Sequence, residues 1–172
     1  MRGKAHLACG LIAGAGVSFL GNFSLFESLL ITSSSALFSL VPDIDHPDSM
    51  LGHLVKPFAK FIKDHIGHRT ITHSGLWMVL YIFLCIHFYN TVYFPVLFGA
   101  TVGFFSHILS DSMTAGGTPW LWPLKRQRYG FTKIKTGEKD GLLVVMADII
   151  LLGLFYLIWN YGIPYLSQFL NR

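Results

Sequence analysis

The stretch FPVLFGATVGFFSHILSD, residues 94–111, decides how the chain is read. From Phe94 to Leu109 it is apolar enough to enter a bilayer. Yet it closes on His107 and Asp111, which lie four positions apart and so point from one face of a helix. Ionisable groups at the edge of an apolar span are expensive, and they are normally kept for function.

The same juxtaposition recurs along the chain. Four further apolar runs, Ala5–Leu20, Phe26–Val41, Gly75–Phe88 and Gly141–Ile163, stand beside polar motifs or short loops. Crossing a hydrocarbon core takes roughly 20 apolar residues, with a range of about 17–25. The last run meets that length, and the first two need their flanks. Composition agrees: of 172 residues, 52% are hydrophobic and 13% charged, with a mean hydropathy of +0.52. Soluble domains run at about 25% charged. The expected fold is all-α, one polytopic membrane helical bundle over residues 1–172 with about five transmembrane or membrane-embedded helices. Gly10 and Gly14 have the spacing that lets two such helices approach closely.

The basic residues set an orientation. Arg2 and Lys4 precede the first run, Lys56, Lys60, Lys63 and Arg69 follow the second, and six more lie between Lys125 and Lys139. The loops 21–25 and 89–93 carry none. Lys and Arg stay on the cytoplasmic side, so the N-terminus and both long loops are expected there, with the C-terminus and Arg172 opposite. The segment KPFAKFIKDH, residues 56–65, is basic and amphipathic and suits the membrane surface. A net charge of +4 is thereby explained by topology, and no nucleic-acid partner is expected. Cys9 and Cys85 lie within apolar runs and read as small buried hydrophobes.

Four clusters then fall at the cytoplasmic ends of helices: His6; Pro42-Asp43-Ile44-Asp45-His46-Pro47; His68-Arg69-Thr70-Ile71-Thr72-His73-Ser74; and His107 with Asp111. The prolines should stiffen an extended segment 42–47 and end the preceding helix. A mixed imidazole and carboxylate set suits zinc, manganese or iron over calcium, and the lack of cysteine argues against a structural zinc. The expected ligands are His6, Asp45, His46, His73, His107 and Asp111, holding one or two divalent ions, zinc favoured. Asp43 is expected to orient a ligand or act as base, with His68 and Arg69 beside it in catalysis. His46 and His68 are alternatives as ligands or proton donors. Lys125, Arg126 and Arg128, next to Trp120 and Trp122, are candidates for an anionic headgroup. Asp148 stands alone in the last run and should pair with a polar group on a neighbouring helix. His53, His65 and His87 show no partner pattern.

Taken together, His6 with Gly10, PDIDHP at 42–47, HRTITHS at 68–74 and HILSD at 107–111 resemble the YdjM-type family of bacterial inner-membrane metal-dependent hydrolases, some of them LexA-regulated. The resemblance spans residues 1 to about 130 and leaves the last helix, 141–163, unmatched. It implies a multi-pass inner-membrane protein with hydrolytic activity. A more distant similarity, in the order of His6, Asp45, His73 and the His107/Asp111 pair, is to the zinc-dependent phospholipase C and single-strand nuclease superfamily. Those enzymes carry a further histidine and acidic pair downstream. No histidine follows His107 here, which points to one or two ions rather than three. The expected activity is hydrolysis of a phosphoester in a membrane lipid or amphiphile. A metal transporter and a non-enzymatic adaptor stapled by metal are the competing readings. The oligomeric state is open.

Overall fold

The computed structural model describes residues 1–162; the expectations for Arg172 and the C-terminus lie outside them. Those residues form six α-helices: α1 (Gly3–Leu20), α2 (Leu25–Phe38), α3 (Lys56–His65), α4 (Gly75–His87), α5 (Phe94–Ser112) and α6 (Asp140–Leu157). Short 3₁₀ turns at Val41–Asp45 and Ile71–His73 carry the two middle motifs. The fold is an all-α polytopic bundle, as expected. Each of the five apolar runs contributes a helix among the described residues. Four of the resulting segments, Gly3–Leu20, Leu25–Asp45, Phe94–Ser112 and Asp140–Gly162, are long and apolar enough to span a membrane. The helix that falls short is α4, with 13 residues, rather than either of the first two.

α5 is the centre, packing against α1, α2, α4 and α6. Val17, Ile31, Val102, Leu143, Ala147 and Leu151 fill the space between them. α4 buries no residue fully, and Leu76, Val79, Phe83 and Ile86 are each more than half exposed. In a bilayer that face meets lipid, where exposed apolar area costs nothing. In α3 Ala59 and Ile62 turn inward, while Phe58 and Phe61 are exposed between the lysines.

Two glycines control how near the helices come. A β-carbon at Gly10 would lie 2.7 Å from the Ser35 carbonyl oxygen, and one at Gly103 only 2.0 Å from it. Ser35 also donates its hydroxyl to the Gly10 carbonyl at 2.7 Å. Thus α1 and α5 both press on one point of α2, backbone against backbone. Gly10 lies four residues after His6, and Gly103 four before His107. On a helix a residue four positions away shares the same face, so the contacts that seat the helices also turn both imidazoles toward a common centre.

Asp148, half-way along α6, is 4% exposed. One of its oxygens accepts from the Cys9 thiol of α1 at 3.3 Å; the other has no partner among the described residues. The expected neighbour is therefore a thiol.

Candidate metal centre

The motif 42–47 was expected to be extended. Residues 41–45 instead form a 3₁₀ turn with Pro42 in its first turn, and the His46 amide donates to the Asp43 carbonyl at 3.0 Å. At three residues per turn, positions two apart point well away from each other. Asp43 and Asp45 therefore face different surroundings.

Asp43 faces the imidazoles. Its Oδ1 is 3.5 Å from His73 Nε2 and 3.7 Å from His107 Nε2, and its Oδ2 is 4.0 Å from His6 Nε2. Asp111 faces the same three nitrogens, at 3.7, 3.8 and 3.4 Å. Asp45 is turned to one side and surrounded by donors: the His68 ring at 2.7 Å, the Arg69 amide at 3.1 Å and the Thr72 hydroxyl at 2.5 Å. Asp43 thus joins the His73, His107 and Asp111 group expected to contain Asp45, while Asp45 can ligate only in a second group with Asp43 and His68. Asp43 has the outlook of a ligand, and Asp45 the outlook of a group that orients ligands.

The tautomers follow from the hydrogen bonds. His107 Nδ1 donates to the Ser39 carbonyl at 2.6 Å, which leaves a lone pair on Nε2. The Thr72 hydroxyl is spent on Asp45, so at 3.0 Å it accepts from His73 Nδ1. The Ser110 hydroxyl is spent on the His107 carbonyl, so at 3.1 Å it accepts from His6 Nδ1. All three rings carry the proton outside and the lone pair inside. His73 Nε2 and His107 Nε2 stand 3.2 Å apart, and His6 stacks on His107 with ring centroids 3.7 Å apart. His6 Nε2 is buried with no hydrogen-bond partner.

A hydrogen-bonded core does not aim three bare lone pairs and two carboxylates at one point, because unpaired buried acceptors cost about 1–3 kcal/mol each. A cation removes that cost. Asp43, His73, His107 and Asp111 offer ligand atoms all within 4.8 Å of one another. Nitrogen and oxygen donors with outer hydrogen bonds fixing the rings fit a first-row divalent ion. Asp43, Asp45 and His68 form a second such group, sharing Asp43 with the first. The cluster can therefore hold a metal ion.

Arg69 is the cation within reach. It adopts a left-handed backbone, φ 56°, which costs a non-glycine residue about 1–3 kcal/mol. The Asp45 carboxylate holds its amide in that conformation. Its Nη2 lies 2.7 Å from Asp111 Oδ2, an ion pair not directed as a hydrogen bond. The Met1 amine also contacts Asp111.

Other expected residues stand further out. His46 belongs to neither ligand group; its Nδ1 accepts from the Asp48 amide at 3.2 Å, and its ring meets His68 edge-on. His68 is 30% exposed, its proton directed at Asp45. Arg128 reaches inward, donating to the His68 carbonyl at 3.1 Å. Arg126 and Arg128, both exposed, line an open cavity together with Arg69, and the exposed Lys125 lies outside it. Ser39, Thr72 and Ser110 were missed by motif reading. Only the backbone path brings them to the rings, although Thr72 and Ser110 each lie within three residues of a ligand histidine.

Comparison with known proteins agrees with this architecture. The chain is 29% identical to the uncharacterized protein YvsG of Bacillus subtilis, over 91% of this chain and 94% of that one. It is 42% identical to the inner membrane protein YdjM of Escherichia coli and of Shigella flexneri, over 55% of this chain and half the length of those relatives. No solved structure matches. The aligned lengths differ, but one family model, described as YdjM inner membrane protein, matches residues 1–167 and so takes in every helix and all four motifs. The chain belongs to the YdjM inner membrane protein family.

Proposed function

We propose that this protein is a membrane-bound, metal-dependent hydrolase acting on the phosphoester of a lipid or amphiphile at the cytoplasmic face. The observation that carries the reading is the convergence of three outward-protonated imidazoles and two carboxylates beside the half-buried Arg69 guanidinium. A divalent ion, zinc by preference, would be held by Asp43, His73, His107 and Asp111, with His6 closing the set. When bound, it supplies the Lewis acidity that phosphoester hydrolysis requires.

The remaining steps fall to the chain's own residues. Arg69, held by Asp45 and Asp111, is placed to offset charge on phosphoryl oxygens. His68, with one ring nitrogen on Asp45 and the other side open, is placed to give or take a proton. Asp43, 15% exposed, is the member of the cluster through which the site opens outward.

The depth of the cluster supports an amphiphilic substrate. His107 stands five positions before the end of α5 at Ser112, or about 7–8 Å of helix rise. α4 starts at that level, since His73 touches His107 and α4 begins at Gly75. The Trp120 loop packs on the first residue of α4, so the cluster lies toward one end of the bundle, where a membrane lipid could bring its phosphoester. The density of basic residues in the two long loops supports the cytoplasmic side.

The test is release of phosphate or headgroup from phospholipids and isoprenoid phosphates by protein in nanodiscs with zinc or manganese. Activity lost on Asp111→Ala is the expected result. If no phosphoester turns over while bound metal raises the melting temperature, the adaptor reading replaces this one.

A further inference from the structure

Beside the metal centre lies a second, positively charged cavity of about 470 Å³. Its lining includes His65, Arg69, Thr70, Trp122, Arg126 and Arg128, with no carboxylate among the described residues. The volume lies within the roughly 300–1,000 Å³ typical of ligand sites. Neither Arg126 nor Arg128 has a carboxylate partner among the described residues, and Arg128 is anchored only by its bond to the His68 carbonyl. Arg69 belongs to both places. One guanidinium nitrogen pairs with Asp111 in the metal centre, and the side chain also forms part of the cavity wall.

Charge decides what such a cavity takes. A phosphodiester with one negative charge is satisfied by the metal and Arg69. That leaves the two exposed guanidiniums and the exposed imidazole along the cavity wall, with no carboxylate beside them, for a further negative charge. A headgroup with two linked phosphates answers both places, one phosphate at the metal and the next among Arg126, Arg128 and His65. An apolar surface for a tail lies on the neighbouring helix. The Gly75 amide donates to the Trp120 carbonyl at 2.9 Å, tying the start of α4 to the loop that bears Trp122. From there Leu76, Trp77, Leu80 and Phe83 line an apolar hollow of about 460 Å³ on the lipid face.

We propose that the cavity is a second-phosphate subsite, so that the preferred ligand is an amphiphile with a diphosphate headgroup. The proposal rests on the phosphoester reading for the first phosphate, but the subsite is measurable without catalysis.

Binding of farnesyl diphosphate, farnesyl monophosphate and inorganic pyrophosphate is compared in phosphatidylcholine nanodiscs, with zinc and after chelation. Wild type should bind the diphosphate amphiphile at least about tenfold tighter than the monophosphate, as two charge-assisted contacts imply. Arg126→Ala/Arg128→Ala should erase that preference with metal content unchanged. Arg126→Lys/Arg128→Lys should restore part of it, which separates lost charge from a damaged fold. Equal binding of the two amphiphiles by wild type overturns the subsite, as does a preference that survives the double alanine variant. Pyrophosphate binding as tightly as farnesyl diphosphate overturns the amphiphilic ligand. A preference that persists in the chelated protein supports the cavity even where metal loading fails, so the two readings fall separately.

Discussion

Replacing each of the two aspartates of PDIDHP with asparagine should give opposite metal phenotypes. Asp43→Asn removes a carboxylate that lies 3.5–4.0 Å from all three imidazole Nε2 atoms. Asparagine keeps the shape, but it replaces a charged oxygen by an amide that cannot neutralise a divalent ion. Stoichiometric loading should be lost. Asp45→Asn acts through its neighbours. The native carboxylate accepts from His68, Arg69 and Thr72, and an amide can accept only on its oxygen, so its NH₂ group must face at least one donor. Placed on the Oδ2 side it releases the Thr72 hydroxyl that holds His73 Nδ1, and placed on the Oδ1 side it displaces the His68 ring. Loss of such an outer partner typically weakens metal binding 10–100-fold, about 1.4–2.7 kcal/mol. Protein in nanodiscs would be titrated with zinc against a fluorescent chelator, and its content checked by elemental analysis. The Asp45→Asn protein should fill at raised zinc, whereas Asp43→Asn should stay empty. If Asp43→Asn loads with wild-type affinity and Asp45→Asn never fills, the assignment of the two carboxylates is wrong.

Chelation should lower the melting temperature, since a ligand present at a hundred times its dissociation constant adds about 2.7 kcal/mol of stability; an unchanged melting curve would argue that no ion is held. Gly103→Ala should destabilise the bundle by about 1–3 kcal/mol through overpacking against Ser35 and weaken zinc binding too, because His107 shares that face. Gly153→Ala, with nothing within 4 Å of its new β-carbon, is the matched control and should change neither. A reporter placed in the loop 113–139 should report the cytoplasm; a periplasmic signal there would reverse the proposed orientation.

Much of this was legible in the chain because helices repeat. His107 and Asp111 at four-residue spacing had to share a face, and they do, with Nε2 and Oδ2 3.8 Å apart. The apolar runs and their polar ends marked every helix that builds the bundle. The less regular segments were harder. Whether Asp43 or Asp45 faces the rings depends on whether residues 41–45 coil or extend, and the two prolines permit either. Arg69 stands out as a catalytic candidate within its motif, but its left-handed backbone and its contact with Asp111 come only from the fold. Of the partners that fix the tautomers, Ser39 lies outside every motif, and Thr72 and Ser110 lie inside HRTITHS and HILSD with no pattern that marks their role, since any hydroxyl or carbonyl at the right place serves.

The placement of the ionisable groups bears on the choice between a hydrolase and a transporter. A transport path needs polar groups near the middle of the bundle, continuous with both faces. Asp148 is the one carboxylate so placed among the described residues, and it is bonded to the Cys9 thiol while Val17, Ile31 and Leu151 close the core around that level. The dense cluster lies instead about one and a half turns inside one end of α5, beside a basic cavity and beneath a loop. Of His6, Asp43, His73, His107 and Asp111, Asp43 alone is partly exposed. Among the described residues the cluster lies toward one end of the bundle with Arg69 beside it, an arrangement that favours the proposed hydrolase over a transporter.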